Sequence, residues 1–111
     1  MPGGVHTGDL TWYHGELTAC GDTTTDSDFG VALGAALFDS LNTDGDSNDN
    51  AACFQKIMIT ANGKTAYGTV DDRCEGCAEW DIDVLPALFE EFAPLSAGRI
   101  HDVQWQFVAG N

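Results

Sequence analysis

Apolar and polar positions alternate over several short runs of the chain, a period that predicts β-strands. Asp9–Tyr13 reads as the first, with Leu10 and Trp12 on one face and Thr11 and Tyr13 on the other. The Gly-rich residues 1–8 are expected to be a flexible leader, which leaves 9–108 as the folded domain. Gly30–Phe38 is small and apolar and suits a strand followed by a turn or a short helical piece. Lys56–Ala61 and Thr65–Val70 are β-rich runs joined through Asn62-Gly63, a dipeptide that accepts the positive φ angles of a tight hairpin turn. Over Leu85–Phe92 the period changes: Leu85, Leu88, Phe89 and Phe92 form a helical stripe, Pro86 suits its first turn, and Pro94 stops it. Ile100–Val108 returns to alternation, with His101, Val103, Trp105 and Phe107 sharing a face, so His101 is expected to be a buried or half-buried histidine. Asp102, Gln104, Gln106 and Val108 share the other face. Residues 20–28 and 42–50 are polar loops, and no internal repeat is present. The pattern predicts a small β-rich domain with one clear helix, an arrangement that suits a barrel.

Composition narrows the partners. The 111 residues suit one domain, and 43% hydrophobic content is enough for a single core. Acidic residues number 18 against 4 Lys and Arg, a net charge of −14, which disfavours nucleic acid, anionic membranes and polyanionic substrates, since each needs a basic footprint. A neutral ligand fits better, and the high net charge favours a monomer. No apolar run approaches the ~18 residues of a membrane span. Four cysteines, Cys20, Cys53, Cys74 and Cys77, allow two disulfides in three connectivities. A zinc site wants two tight ligand pairs, whereas only Cys74-x-x-Cys77 is tight, so disulfides, no metal and an oxidising compartment are expected. Met1-Pro2-Gly3-Gly4 lacks the charged and apolar regions of a secretion signal; a secreted protein in its mature form, headed by a few added start residues, is the expectation. Asp44, Asp46 and Asn48 alternate as in an EF-hand loop, but Asp49 stands where Gly is needed and Gln55 where a bidentate Glu belongs, so a solvated turn is expected.

The segment Trp80-Asp81-Ile82-Asp83-Val84-Leu85-Pro86 carries the most chemistry. On an extended backbone Asp81 and Asp83 point the same way, and two close like charges raise one pKa, the route to a carboxyl still protonated in mild acid. The structural alternative is that Asp83 caps the helix that follows. Asp71-Asp72-Arg73 reads as a strand-end turn with a local Asp–Arg pair. Trp12 and Trp80 stand near polar strand ends, where an aromatic face can stack on sugar rings, although a core role is the usual one for tryptophan. Trp80, between Glu79 and Asp81, is the more exposed of the two by this reading. His14 and His101 do not form a ligand pair, and no Ser or Cys nucleophile with a matched His is evident.

Taken in order, these stretches resemble a known family. Gly8-Asp9-Leu10-Thr11-Trp12-Tyr13 with Ala19-Cys20-Gly21 is similar to the opening Thr-Trp/Phe-Tyr and Ala-Cys-Gly of expansin-like double-psi β-barrels. Gly63-Lys64, then Val70-Asp71-Asp72-Arg73-Cys74-Glu75-Gly76-Cys77, resembles their Val-x-Asp-Arg-Cys-x-x-Cys segment. Asp81-Ile82-Asp83-Val84 before Ala87-Leu88-Phe89 resembles the Asp-Leu motif leading into an Ala-x-Phe helix, and Gly98-Arg99-Ile100 with Val103-Gln104-Trp105 resembles the closing strand. The resemblance runs over residues 8–108 and is strongest to the single-domain fungal loosenins of the rare-lipoprotein-A-like group, more distantly to family-45 endoglucanases.

The resemblance implies a mainly β fold: a six-stranded double-psi β-barrel with one or two short helices, an open groove, and disulfides Cys20–Cys53 and Cys74–Cys77. It makes Asp83 the general-acid equivalent and Thr11, Trp12, Tyr13, Asp72, Trp80 and Asp81 the substrate-binding set. The catalytic base of the endoglucanases falls on Gly15, and Glu16 is one residue out of register, which on a strand turns it to the other face. Cys74 stands where bacterial expansins carry a stacking Tyr, and Trp80 is expected to take over part of that surface. Leu85 replaces the usual capping Ser, which leaves Asp83 as an alternative cap. The implied function is a secreted, cofactor-free, non-hydrolytic protein that loosens cellulose, with chitin or other neutral β-glucans as further substrates. The alternatives are a glycosidase or lytic transglycosylase that recruits Asp81 or Glu16, and a papain-type proteinase inhibitor or defence protein on the same barrel.

Overall fold

The alternating runs form strands β1 (His6–Trp12), β2 (Gly30–Gly34), β3 (Lys56–Ala61), β4 (Lys64–Cys74), β5 (Ile82–Val84) and β6 (Arg99–Phe107), with short helices α1 (Ala35–Ser40) and α2 (Pro86–Phe89). The structure is a computed structural model and describes residues 1–42 and 45–108. Asp44, the first acid of the EF-hand-like alternation, lies outside the described residues; Asp46 accepts the Asn48 N–H at 3.0 Å within a short 3₁₀ turn.

The strands close into a barrel in the order β1-β5-β2-β4-β3-β6. Pairs β1–β5 and β2–β4 are parallel; the other four are antiparallel. Closure gives every strand a hydrogen-bonded neighbour on both sides along at least part of its length. The interior is filled by Leu10, Val31, Leu33, Ile57, Ile59 and Ile82, with Trp105 closing it at 1% exposure. The helical stripe seals the barrel as its spacing requires: Leu85, Leu88, Phe89 and Phe92 are all buried. The regular helix is shorter than the stripe, ending at Phe89, while a further turn through Phe92 N–H to Phe89 O carries the last member inward.

Three elements differ from the sequence pattern, each for a tertiary reason. The first strand begins at His6, because His6, Thr7 and Gly8 pair with Trp105, Gln104 and Val103 of β6 and the His6 ring stacks on Trp80 at 4.2 Å. Gly8 is needed there, since a Cβ would meet the Trp80 carbonyl oxygen at 2.1 Å. The fourth strand runs on past Val70 to Cys74, because its second half pairs with β2 after its first half has paired with β3. His101, expected on the core face, is instead exposed and bonds Asp9 Oδ1 at 3.1 Å. The cause is Asp102, whose φ of 58° breaks the alternation opposite a register shift between Gly8 and Leu10. Val103 and Trp105 keep the inward positions, and the polar His101 is turned out.

The hairpin turn is as predicted, with Asn62 and Gly63 at φ 52° and 74° between the paired Ala61 and Lys64. Both disulfides form as the resemblance implies, Cys20–Cys53 and Cys74–Cys77. They differ in reach: the first closes a 33-residue separation and the second only 3. Chain entropy therefore predicts that replacing Cys20 and Cys53 together by Ser costs about 4 kcal/mol, and the Cys74/Cys77 pair about 2 kcal/mol. Denaturant unfolding of the two double variants measures this order; equal losses, or the reverse order, would contradict it.

Candidate functional site

Register assembles the site. Arg99 pairs with Thr11, Thr11 with Asp83, Asp83 with Ala32, and Ala32 with Asp72. Side chains at paired positions of neighbouring strands share a sheet face. The flanking Leu10, Ile82 and Leu33 fill the interior, so the row Arg99–Thr11–Asp83–Ala32–Asp72 lies on the outer face of the barrel. Five strands at ~4.8 Å spacing make the row roughly 19 Å long, with Asp72 and Asp83 roughly 9.5 Å apart at Cα. Ala32, between the two acids, is small and itself covered, at 2% exposure.

Asp83 accepts the Thr11 hydroxyl at 2.8 Å. Burial pushes its carboxyl above the ordinary range; the Thr11 hydrogen bond and Arg99 hold it back, and the charge of Asp72 raises it further. The like charge acting on Asp83 is thus Asp72, from two strands away, and Asp81 is not among its causes. Asp81 is occupied instead: one oxygen accepts the Asp9 N–H at 2.8 Å and the other the Ala78 N–H at 3.1 Å. Its visible work is to fold the 78–81 loop onto β1. Nor does Asp83 cap α2, whose N-cap Leu85 has no side-chain cap at all.

Asp72 holds the Ala19 and Arg73 N–H groups on one oxygen at 3.0 and 2.9 Å. The expected local Asp–Arg pair does not form; Arg73 bonds Asp39 and Glu75. The Tyr13 hydroxyl is buried without a hydrogen-bond partner among the described residues, and burial followed by Asp71, Asp72, Asp83 and Asp22 drives its pKa upward. It therefore remains a neutral phenol. Trp12 and Trp80 are both half-buried: the Trp12 indole donates to Leu95 O at 3.0 Å, and Trp80 lies under His6 with its carbonyl accepting the Trp105 indole. Neither tryptophan is simply an exposed platform.

The Cys74–Cys77 bridge lies at the same place. Its two sulfurs and an Asp83 oxygen all lie within 4.8 Å of one another. This is the one group of three such ligand atoms among the described residues, and its sulfurs are bonded to each other, so they offer no thiolates to a metal. Gly34 makes the approach feasible, because a Cβ there would meet the Ala78 carbonyl oxygen at 2.2 Å. Sequence reading placed neither the disulfide beside Asp83 nor Arg99 in the row; the Gly-Arg-Ile motif held the only signal for Arg99.

Asp71 is the largest omission. Between Val31–Val70 and Ala32–Asp72 the register slips by one, which makes Asp71 the extra residue of a β-bulge. Its side chain is 3% exposed, and Oδ1 has no partner. Burial, then the charges of Asp22, Asp72 and Asp28, push its carboxyl up to about 7.

Two expectations follow. The folded protein keeps the Asp71 proton over a range where the unfolded chain has lost it, so this residue favours folding in acid and that contribution is lost as pH rises toward about 7. Asp71→Asn should match the parent in thermal unfolding near pH 4 and exceed it near pH 8, by an amount on the order of 1–3 kcal/mol; a variant less stable at the higher pH would refute the assignment. At Gly15, where the endoglucanase base falls, a Cβ would meet the Thr24 carbonyl oxygen at 2.5 Å. Gly15→Asp is therefore expected to cost about 2 kcal/mol and to confer no hydrolysis; sugar release by that variant would show that the backbone can make room.

No protein-family model matches the chain. It is 34% identical over 116 residues to an allergen Asp f 7 homolog of Arthroderma benhamiae, with 92% of this chain and 38% of that protein covered. The chain thus spans well under half the length of that relative. It is 32% identical over 104 residues to a papain inhibitor of Streptomyces mobaraensis, covering 92% of this chain and 71% of the inhibitor. Among solved structures, a Streptomyces papain inhibitor superposes with TM-score 0.87 at 31% identity over 97% of this chain and 98% of that one. An expansin of Clavibacter michiganensis in complex with cellohexaose superposes with TM-score 0.77 at 16% identity, covering 97% of this chain and 52% of the expansin, a likeness of fold. With two disulfides and these identities, the chain belongs to the family of the Streptomyces papain inhibitors, on a double-psi β-barrel whose fold the expansins share.

Proposed function

We propose that this is a secreted, monomeric, non-hydrolytic protein that binds neutral cell-wall polysaccharide across the Arg99–Asp72 row and loosens contacts between its chains. Cellulose is the first substrate, with chitin and other neutral β-glucans as further ones. The observation that carries the reading is the row itself: a carboxyl held toward its protonated form, Asp83, in line with a hydroxyl, a cation and a second carboxylate on one face of the barrel. A protonated Asp83 donates a hydrogen bond to a glycan oxygen, Asp72 accepts from a sugar hydroxyl, and the half-buried Trp12 and Trp80 offer apolar contact to sugar rings. The cellohexaose-bound expansin of the same fold supports a glycan in this role. The net charge of −14 supports an uncharged fibre over a polyanion, and acidity would reduce the repulsion.

Hydrolysis is disfavoured by geometry. An inverting mechanism needs a base on the opposite side of the sugar ring from the acid, about 6.5–9.5 Å away. Asp72 and Asp83 rise from the same sheet face and address the same side of a chain lying on it. Gly15 has no space for a carboxylate, Glu16 is exposed, and Asp81 is committed to two N–H groups.

The second reading is inhibition of a papain-like proteinase, supported by identity above 30% to inhibitors matched along most of their length. Loops would then carry binding and the row would be incidental. The deciding experiment compares the parent with Asp83→Asn in three assays on one preparation: fibre weakening, reducing-sugar release from amorphous cellulose, and papain inhibition. Weakening without sugar, reduced about tenfold or more in the variant, is the expected result. Papain inhibition that survives Asp83→Asn, with no weakening by the parent, would replace the first reading by the second.

A further inference from the structure

The row crosses five of the six strands and leaves out β3. In the closed order β3 is two strands from β5 in either direction, so its outer face lies on the flank opposite Asp83. Alternation turns Ile57, Ile59, Ala66, Val103 and Trp105 inward, where all are buried. The residues between them face out, and pairing lays them in two cross-strand rows, Tyr67–Met58–Gln106 and Thr65–Thr60–Gln104. None of these six is charged, in a chain with 18 acids. Tyr67 is 49% exposed, and a hollow of about 260 Å³ opens between Tyr67, Met58, Gln106 and Phe107. A smaller one of about 50 Å³ also touches Met58 and Gln106 and reaches Thr60, Gln104 and Val5. The Thr60 and Thr65 hydroxyls meet at 3.3 Å, whereas the Tyr67 hydroxyl and the two glutamine amides make no hydrogen bond among the described residues.

We propose that this face is a second contact surface for neutral polysaccharide, so that one domain engages two glycan chains from opposite flanks. The ligand class rests on the reading given for the row. Charge selects the same class here: a cationic partner finds no carboxylate among the six, and a polyanion is repelled by the net charge of −14. What the face does offer suits sugars. The Tyr67 ring and the Met58 thioether give apolar contact to ring faces, and the amides and hydroxyls around them both donate and accept, as sugar hydroxyls do. Size argues against a protein occupant. Three strands at ~4.8 Å with two outward residues on each make a face on the order of 200 Å², about a quarter of the roughly 800 Å² per partner that a stable protein interface buries. A second copy would also bring two chains of charge −14 together. A glycan chain is narrow and needs no wider contact. Loosening gains from the arrangement, because a protein that holds one chain on the row and its neighbour on the opposite flank keeps the two a barrel's width apart.

The test is an amide chemical-shift titration of the intact protein with cellohexaose and, in a parallel arm, chitohexaose, joined to an assay of bridging between suspended cellulose particles. Expected with at least one probe are two groups of saturable shifts, one about Thr11 and Asp83 and one about Met58, Tyr67 and Gln104. Tyr67→Ser and Gln104→Ala change exposed positions, so each should fold normally and leave the first group in place. The tyrosine variant should weaken the second group about tenfold and the glutamine variant a few-fold. Asp83→Asn should weaken the first group alone. The parent should bridge particles, and Tyr67→Ser should bind them without bridging. The two readings fail separately: shifts confined to the row would overturn this proposal and spare the row, whereas shifts confined to the β3 face would retire the row and keep this surface. Shifts at neither, equal binding by Tyr67→Ser, or a dimer or papain inhibition that Tyr67→Ser abolishes while fibre binding is unchanged, would each overturn the proposal.

Discussion

The hydrogen-bonded register of five neighbouring strands is the constraint on which the candidate site rests. Parallel pairing of β1 with β5 and of β2 with β4 sets Thr11 beside Asp83 and Ala32 beside Asp72, and antiparallel pairing joins those halves and adds Arg99. Thr11, Asp83 and Ala32 are flanked by the large inward side chains Leu10, Ile82 and Leu33, so slipping β1, β5 or β2 by one position would expose one of them. The packing of the interior therefore holds the polar row in place. The bulge at Asp71 belongs to the same constraint, because it lets Val70 remain inside while Asp72 reaches the outer face.

Close backbone approach then shapes what surrounds the row. Glycine at positions 8 and 34 lets the loop after β4 lie against the barrel, where any Cβ would collide with a carbonyl oxygen. That loop carries the Cys74–Cys77 bridge to Asp83 and is pinned at its far end by the two N–H groups on Asp81. Apolar surface, a disulfide and a half-buried carboxyl are thus brought together by a segment with almost no regular structure. Burial of Asp83 follows from this covering, and with it the upward displacement of its pKa.

A chain with 18 acids and 4 strong bases cannot neutralise its carboxylates by ion pairing. Ion pairing serves a few and two other means the rest. Half-buried Asp9 and exposed Asp39 take the two arginines and are held below the usual range by them. Asp72, Asp81 and Asp26 accept backbone N–H groups. Asp71 and Asp83, the more deeply covered, are shifted toward the protonated form instead. The row proposed to bind glycan is centred on a residue of this last kind, Asp83.

Local rules decided much of the outcome in advance. Asn62-Gly63 tolerates positive φ and made its hairpin; the Leu85–Phe92 stripe had to be buried; the cysteines of a short acidic chain paired; and ordered motifs along the chain were enough to indicate the barrel. These features depend on residue type and on spacing along the chain, both of which the sequence states. What it does not state is which strands become neighbours. Asp83 was legible as a candidate acid, but its charged neighbour is Asp72, 11 residues earlier in the chain and two strands away, and not the adjacent Asp81. His101 looked like a core residue because alternation assumes an unbroken strand, and a single positive φ at Asp102 reversed it. Asp71 looked like half of a surface turn, yet the bulge buried it. Periodicity along a chain fixes which face a residue prefers; only strand pairing, bulges and loop crossings decide what waits for it there.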